Sequence, residues 1–250
     1  MPKSSLQCPN WVDYPIDMAF SSGGLLGANA VICGGEKIIH TQEIEEYTDN
    51  CYIMNPYQKK ARFLAKMRQN RANQASAVIN GMYLWITGGS KNNLFDILTY
   101  QASTIQLSST EFVDLVGTTQ GPELPIPLIG HAMINIENNL TMLIGGNSDG
   151  DTIEQTFYYN HTKREWSIGP KLSQKRESLA AGIVIDEVTK NKLVVVAGGN
   201  KLVLVGGGDR GLGTSYRSTE ILLNGQWATG EKNKKSNRIF ETFLMHSLQK

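Results

Sequence analysis

The residues of this sequence that could bind a metal or move a proton are present but not grouped. Its four histidines lie far apart and include no His-x-His pair: they are His40, His131, His161 and His246. A transition-metal centre needs several nitrogen or sulfur ligands converging on one ion, and closely spaced ligands are the sequence pattern that indicates it. We therefore predict no metal site, no catalytic residue and no cofactor.

Two further segments resemble reactive sites only in part. The glycine-rich segment 206–213 is similar to a phosphate-binding loop, but it lacks the lysine and the following helix that such a loop uses. The carboxylates of Glu43, Glu45 and Glu46 could offer a general acid and base, but a solvated, charged loop explains them better. We interpret both segments as loops that do no chemistry.

The charge balance excludes two classes of partner. The 250 residues carry 24 basic and 23 acidic side chains, a net charge of +1. Such a charge provides no strong positive potential to attract nucleic acid or an anionic membrane surface. No apolar run approaches the roughly 18 residues of a membrane span. The locally basic tail, residues 231–250, is interpreted as a solvated terminus. We expect neither nucleic acid nor a membrane as partner.

A repeated motif organises the chain. Four short β-type runs each end in a pair of glycines, and the pairs recur about every 50 residues, a period typical of propeller repeats: Gly34–Gly35, Gly88–Gly89, Gly145–Gly146 and Gly198–Gly199. An apolar run precedes each glycine strand and an aromatic or β-branched run follows it. Helical periodicity is not evident, so each unit is predicted to be four short antiparallel strands. A large aromatic residue follows in three units: Phe63, Trp166 and Trp227.

This order of strand, double glycine, aromatic strand and spaced tryptophan resembles the kelch family. The segments Met67–Arg71 and Leu172–Arg176 also look like that family's entry into the first strand of a blade. The resemblance implies an all-β fold, a kelch-type β-propeller with about four recognisable four-stranded blades. The ring is expected to be incomplete or to include a partial fifth blade.

The predicted organisation is a propeller over residues 16–230, preceded by an N-terminal extension (1–15) and followed by the basic C-terminal tail. The blades are predicted at residues 16–66, 67–123, 124–171 and 172–230. If these four blades are all that the ring holds, its first and last blades have exposed edge strands. Because unpaired edges are a route to pairing with other chains, oligomerisation through them is expected.

The loops between second and third strands, and those between blades, are long, polar and unlike one another, as recognition loops on a rigid scaffold are. We therefore predict a protein-interaction module that binds a protein or peptide with this loop face. The alternative is a small-molecule or carbohydrate-active propeller enzyme. Arg71, His131 and Arg176 begin innermost strands and are the candidate partner-binding residues. In the other interpretation they only hydrogen-bond neighbouring blades.

Cysteines and glycosylation motifs indicate whether the protein is exported or stays in the cytosol. Cys33 and Cys51 fall in adjacent predicted strands and are similar to the Cys-Gly-Gly…Cys-Tyr line of kelch domains in secreted animal proteins, which implies a disulfide. Two buried free thiols in a cytosolic protein are the alternative. Sequons at Asn139 and Asn160 predict N-glycosylation and favour export, whereas Met1–Trp11 shows no signal peptide. We expect an extracellular rather than a cytoplasmic location.

A local duplication occupies the fourth unit. Residues 191–199 and 200–208 are near-copies, and both are good strands. A blade has room for one second strand, and the first copy lies closer along the chain to the first strand. We therefore predict that residues 191–199 form the second strand and that residues 200–208 are an insertion in the loop that follows.

Overall fold

The computed structural model describes residues 18–37, 46–55, 60–92, 104–185, 192–201, 214–215, 218–223 and 225–229. All the secondary structure of these residues is β-strand, as the repeat pattern predicts. None of the described residues belongs to a helix long and apolar enough to span a membrane.

Four antiparallel sheets follow one another along the chain, and each contains four strands in sequence order. We call them blades 1 to 4. Blade 1 has β2 (Ser22–Leu26), β3 (Asn29–Cys33), β6 (Asn50–Asn55) and β7 (Lys60–Lys66); blade 2 has β8 (Ala75–Ile79), β9 (Tyr83–Thr87), β12 (Thr110–Val113) and β13 (Thr118–Gln120). Blade 3 has β14 (Ala132–Glu137), β15 (Leu140–Ile144), β18 (Thr156–Asn160) and β19 (Glu165–Ile168); blade 4 has β20 (Glu177–Ile185), β21 (Lys192–Lys201), β23 (Thr219–Leu223) and β24 (Gln226–Thr229).

Eight shorter strands lie in the connections between these strands. They are β1 (Met18–Ala19), β4 (Glu36–Lys37), β5 (Glu46–Tyr47), β10 (Ser90–Asn92), β11 (Thr104–Gln106), β16 (Asn147–Ser148), β17 (Asp151–Thr152) and β22 (Thr214–Ser215). Strand β4 pairs with both β1 and β5, β10 pairs with β11, β16 with β17, and β22 with the end of β21. The loops after the second strands therefore carry secondary structure of their own.

The cross-strand pairs between the second and third strands allow residues of different blades to be aligned with one another. At the end of the second strand Cys33 lies opposite Cys51, and Thr87 lies opposite Thr110. The corresponding pairs in the last two blades are Ile144 with Thr156 and Ala197 with Thr219. We call residues that share a register position in different blades equivalent.

Hydrophobic clusters fill the space between consecutive blades. Blades 1 and 2 enclose Val31, Cys33, Leu84 and Ile86, all fully buried. Two adjoining clusters, one centred on Leu143 and the other on Trp85, lie between blades 2 and 3, and a further cluster lies between blades 3 and 4. Within the described residues, no strand of blade 1 packs broadly on a strand of blade 4.

Cys33 and Cys51 form a disulfide, as predicted, across the second and third strands of blade 1. Their Cα atoms are 4.0 Å apart, and both residues are fully buried in the cluster between blades 1 and 2. The bond occupies the register position at which blade 2 has the pair Thr87 and Thr110.

The first copy of the duplication in blade 4 forms the second strand, as predicted, and the first two residues of the second copy continue that strand. Strand β21 contains the first copy and pairs with β20 on one side and β23 on the other, so it is the second strand. It extends to Lys201, where it pairs with Thr214 of β22. Residues 202–208 of the second copy lie outside the described residues.

The four sheets begin and end at residues 22–66, 75–120, 132–168 and 177–229. The proposed domain limits at 1–15 and 231–250 fall outside the described residues and stay predictions.

Candidate binding face

The loops after the second strands and the linkers between blades lie at the same end of the sheets. Ala72, in the linker to blade 2, forms a β-bridge with Ser90 at the start of β10. Ile129, in the linker to blade 3, forms the equivalent bridge with Asn147 of β16. We call this end the loop face and the opposite end, where the hairpin turns lie, the turn face.

A closed circuit of three backbone hydrogen bonds joins each blade to the next at the loop face. At the first junction Gly35 N–H donates to the Arg71 carbonyl (2.7 Å), Arg71 N–H to the Thr48 carbonyl (3.3 Å), and Thr48 N–H to the Gly35 carbonyl (2.9 Å). The same circuit recurs at the other junctions through Gly89, Leu128 and Leu107, and through Gly146, Arg176 and Ile153. The second glycine of each of the first three pairs is therefore part of a junction between blades.

In the first three pairs the first glycine is required for a different reason. Gly34 has φ of +64°, a region that residues with a Cβ adopt at a cost. A Cβ on Gly34 would lie 2.6 Å from the Arg71 carbonyl oxygen of the next blade. A glycine thus allows the backbones of two blades to approach each other.

The side chain of Arg71 holds the linker to the second and third strands of blade 2. It is completely buried and donates to the carbonyl oxygens of Gly88 (2.8 Å) and Ser109 (3.0 Å) and to Glu111 Oε1 (2.9 Å). Glu111 Oε2 in turn accepts the backbone N–H of Arg68 in the linker (2.7 Å). Burial lowers the pKa of Arg71, while the Glu111 carboxylate opposes that shift.

Blade 4 repeats this arrangement. Arg176 is also completely buried; its Nε donates to Glu220 Oε1 (2.8 Å) and its Nη1 to the Gly198 carbonyl (2.6 Å). Glu220 Oε2 accepts the backbone N–H of Ser173 (2.7 Å). The side chains of both arginines therefore bond within their own blades, and their backbones bond to the preceding blade.

Blade 3 replaces the ion pair with an apolar pair. Leu128 is equivalent to Arg71 by its backbone bonds, and Phe157 is equivalent to Glu111 by its strand pairing. Leu128 and Phe157 are both buried in the same cluster. The two positions change together, which leaves no charge buried without a partner.

His131 is not the counterpart of the two arginines, although the sequence pattern grouped the three. It is equivalent to Gln74, whose Nε2 donates to the Cys33 carbonyl of the preceding blade (2.9 Å). His131 Nε2 is 2.8 Å from Thr87 Oγ1, also of the preceding blade. Burial lowers the pKa of His131 to about 3, so the imidazole is neutral at physiological pH.

The predicted partner-binding residues Arg71, His131 and Arg176 are therefore all buried, with hydrogen bonds inside the protein. A partner could touch them only after those bonds opened. The alternative role predicted from the sequence, hydrogen bonds to neighbouring blades, describes His131. The side chains of the two arginines bond within their own blades instead. The sequence analysis missed their partners Glu111 and Glu220, although both follow a threonine that begins a third strand.

An inner ladder of backbone hydrogen bonds runs from blade to blade. One residue at the entry to each first strand has a positive φ, between 53° and 59°: Phe20, Asn73 and Gly130 lie before the strand, and Ser178 is the second residue of β20. The N–H of Asn73 donates to the carbonyl of Phe20 (3.1 Å), that of Gly130 to Asn73 (3.0 Å) and that of Ser178 to Gly130 (2.7 Å). This ladder had no recognisable sequence signal, since four different residue types were possible at these positions.

Side chains also link the loops of two blades at the loop face. Gln106 of blade 2 donates from Nε2 to Asn147 Oδ1 of blade 3 (3.1 Å) and accepts the backbone N–H of Asp149 at its Oε1 (2.8 Å). Asn147 Oδ1 also accepts the N–H of Gly150 (3.0 Å). The hairpin that carries Asp149 and Asp151 is thereby fixed to the neighbouring blade.

The two tryptophans predicted to be structural lie in the outermost strands, opposite Tyr159 and Leu222. Trp166 Nε1 donates to the Glu123 carbonyl (2.7 Å) and Trp227 Nε1 to the Pro170 carbonyl (3.0 Å), both in linkers. Phe63 does not take the corresponding place: it lies opposite Tyr52 and is half exposed.

Both predicted glycosylation sites lie at the turn face of blade 3. Asn139 is exposed in the turn between β14 and β15, and Asn160 ends β18. The two turns touch, because His161 N–H donates to the Asn139 carbonyl (2.8 Å). Glycosylation at either site stays a prediction.

The described residues contain no group of three or more His, Cys, Asp or Glu side chains that could hold a metal ion. His131 and His161 each bond to a threonine, of blade 2 and blade 3 respectively. His40, His246, Glu43 and Glu45 lie outside the described residues, and Glu46 pairs with Lys37.

Comparisons with known proteins agree with this geometry. Kelch-like protein 41a of zebrafish (Danio rerio) is 36% identical over 89 residues, which are 35% of this chain and 14% of that protein. The solved structure of YjhT superposes with a TM-score of 0.69 over 84% of this chain and 70% of its own, at 18% identity. No protein-family model matches the sequence.

Four-stranded antiparallel sheets that pack face to face in chain order define a β-propeller. In its repeated double glycine the chain is similar to kelch-repeat proteins, as the partial match to kelch-like protein 41a indicates, and it shares its propeller fold with YjhT. The chain spans only about a seventh of the curated relative it matches, 14% of its length.

Proposed function

We propose that the chain is a protein-interaction module that binds a protein or peptide partner with its loop face. The observation that carries the proposal is the link from Gln106 to Asn147 and Asp149. It joins loops from different blades into one surface. A surface that is ordered before binding loses less conformational entropy when a partner docks.

The layer beneath the loops supports the same proposal. The backbone circuits at each junction, and the Arg71–Glu111 and Arg176–Glu220 pairs, hold the base of every described loop to a sheet. Variable loops on such a scaffold are the usual place for recognition in proteins. The buried ion pairs therefore position the loops rather than contact the partner.

The chemistry of the loop tips favours a polar partner surface. Asp149 and Asp151 are exposed on the blade 3 hairpin, and Lys91 lies at the start of the blade 2 loop. Charges of both signs on one rim give specificity more than affinity. Glycans at Asn139 and Asn160 would lie at the turn face and leave this rim open.

Site-specific photo-crosslinking tests the proposal. A photoreactive residue at Asp151, on the loop face, is compared with one at Glu137, which is also exposed but lies at the turn face. We expect a crosslinked protein partner from position 151 and none from position 137. Crosslinks from position 137 alone would contradict the proposal, and turnover of a sugar panel without any captured protein would favour the enzyme alternative.

A further inference from the structure

A pocket of about 550 Å³ opens at the turn face between blades 1 and 2. Three strands of blade 1 and one turn of blade 2 line it, with Asn29, Ile53, Asn55, Lys60, Arg62 and Leu115. Ile53 is buried in the cluster between the two blades, whereas Leu115 is half exposed. A volume of this size is typical of sites for small molecules. We call it the junction pocket.

The equivalent place at the next junction is filled by aromatic side chains. By strand register the equivalents of Asn29, Val31 and Ile53 are Tyr83, Trp85 and Phe112. The Phe112 ring stacks on Trp85 with centroids 5.4 Å apart, and Tyr83 meets it edge-on at 6.2 Å. Blade 1 has a smaller side chain at each of the three positions. The junction pocket is therefore the space that aromatic rings occupy one blade later.

The polar groups of the junction pocket are mainly hydrogen-bond donors. Asn29 Oδ1 already accepts Asn55 Nδ2 (3.0 Å), and no hydrogen bond engages Asn29 Nδ2 within the described residues. Lys60 and Arg62 add an ammonium and a guanidinium group, which can donate but not accept. A ligand rich in acceptors and negatively charged fits such a set best.

The two cations of the pocket are not part of the repeated scaffold. Lys60 and Arg62 are both exposed on one face of β7, and neither forms an ion pair among the described residues. By strand register their equivalents are Gly117 and Thr119 in blade 2 and Glu165 and Ser167 in blade 3. The other blades thus fold without this pair of charges, so the fold does not explain it.

We propose that the junction pocket binds a small aromatic carboxylate. Its carboxylate contacts Lys60 and Arg62, since a guanidinium group can hold both carboxylate oxygens. Its ring lies against Ile53 and Leu115, in the space that Tyr83 and Phe112 fill at the next junction. Because the pocket lies at the turn face, this site is independent of the loop-face function.

Titration of the purified, isotope-labelled full chain with naphthoate, followed by two-dimensional NMR, tests the proposal. We expect saturable shifts of the amide signals of Ile53, Arg62 and Leu115, with a dissociation constant of about 1 mM or below for a probe of this size. Naphthamide has the same ring without the charge, and acetate has the charge without the ring. Each should bind at least about tenfold more weakly than naphthoate.

Two variants locate the site. Arg62→Gln, at an exposed position, should weaken naphthoate binding at least about tenfold. Arg164→Gln, at an exposed position of a blade 3 turn, is the matched control and should bind as wild type does. Asn29→Tyr introduces the residue that blade 2 has at the equivalent position and should abolish saturable binding, because its ring fills the pocket.

Several results would overturn the proposal. They are the absence of saturable shifts at about 10 mM naphthoate, shifts confined to other parts of the chain, and equal affinities for naphthoate and naphthamide. Binding to Asn29→Tyr as tight as to wild type would also contradict it. Unchanged binding by Arg62→Gln would do so even if Asn29→Tyr did not fold.

Discussion

At the scale of single residues, one position shows how the repeat tolerates different chemistry. Two blades hold the linker with a buried arginine and glutamate, and blade 3 does so with Leu128 and Phe157. A buried ion pair is often no more stabilising than an apolar pair of similar volume, whereas half of such a pair is costly. The two positions therefore differ together from blade to blade: they hold either an arginine with a glutamate or a leucine with a phenylalanine.

A double-mutant cycle at this position tests that statement. Leu128→Arg alone should lower the free energy of unfolding by more than about 3 kcal/mol, because it buries a charge without a partner. Adding Phe157→Glu should recover most of that loss, as measured by urea denaturation. Strictly additive losses in the double variant would show that the two positions are not coupled.

His131 gives the protein a stability that depends on pH. Its pKa is about 3 in the folded protein because of burial, below the ordinary value of 6.5. The unfolded chain therefore binds a proton that the folded protein does not, so this contribution is complete above pH 6.5 and is lost as the pH falls below it. Between pH 7 and pH 5 we expect a loss of roughly 2 kcal/mol in the free energy of unfolding.

The variant His131→Gln provides the control for this prediction, since Gln74 occupies the equivalent position one blade earlier. Urea denaturation at pH 7, 6 and 5 should give a flatter dependence on pH for the variant than for wild type. Equal slopes in the two proteins would mean that His131 does not titrate on unfolding as its burial indicates.

At the scale of elements, the double glycines were predictable from the sequence but their reason was not. The spacing of the pairs predicted the second strands correctly, and the aromatic and β-branched runs predicted the positions of the third strands. The contacts that make the first glycine necessary in blades 1 to 3 are with carbonyls of the next blade, roughly 30 to 40 residues further along the chain, as between Gly34 and Arg71. A local pattern carries no information about which distant backbone approaches it.

Two glycines of blade 1 allow a test of whether the close approach of the next blade makes a glycine necessary. Gly27 and Gly34 have nearly the same φ, +61° and +64°, but a Cβ would meet nothing at Gly27 and the Arg71 carbonyl at Gly34. Gly27→Ala should cost about 1–2 kcal/mol for the left-handed backbone alone. Gly34→Ala should cost about 1–3 kcal/mol more, because the junction must shift. Equal costs in thermal or urea denaturation would refute the role of the close approach.

The disulfide stabilises the first blade by closing the loop between its second and third strands. Reduction of Cys33–Cys51, which closes a separation of 18 residues, should lower the free energy of unfolding by about 3 kcal/mol. The urea midpoint with and without dithiothreitol measures this loss. Cys8→Ala should lose as much as wild type on reduction, whereas the double variant Cys33→Ala with Cys51→Ala should not respond to the reductant.

At the scale of the whole molecule, the fold followed from the sequence more completely than the binding face did. Repeated strands and glycines were sufficient for a kelch-type propeller, since the blade is a local unit of about 50 residues. The sequence also singled out Arg71 and Arg176, but it left open whether they contact a partner or hydrogen-bond neighbouring blades. Their burial depends on Glu111 and Glu220, about 40 residues away along the chain.

The link between Gln106 and Asn147 was likewise beyond the sequence, because it joins two loops of different blades. Polar loop residues of this kind are not distinguishable from solvated ones until the blades are packed. The sequence could therefore predict which loops share a face, and only the structure shows which of them are fixed to one another.

The central claim is that the loop face, and not the turn face, binds a protein partner. Its most direct test is the dissociation constant of the crosslinked partner, measured by calorimetry for wild type, Asp151→Lys and Glu137→Lys. Charge reversal on the loop face should weaken binding at least about tenfold, equivalent to about 1.4 kcal/mol, and the same reversal on the turn face should leave it unchanged. Weakened binding by Glu137→Lys with unchanged binding by Asp151→Lys would contradict the account.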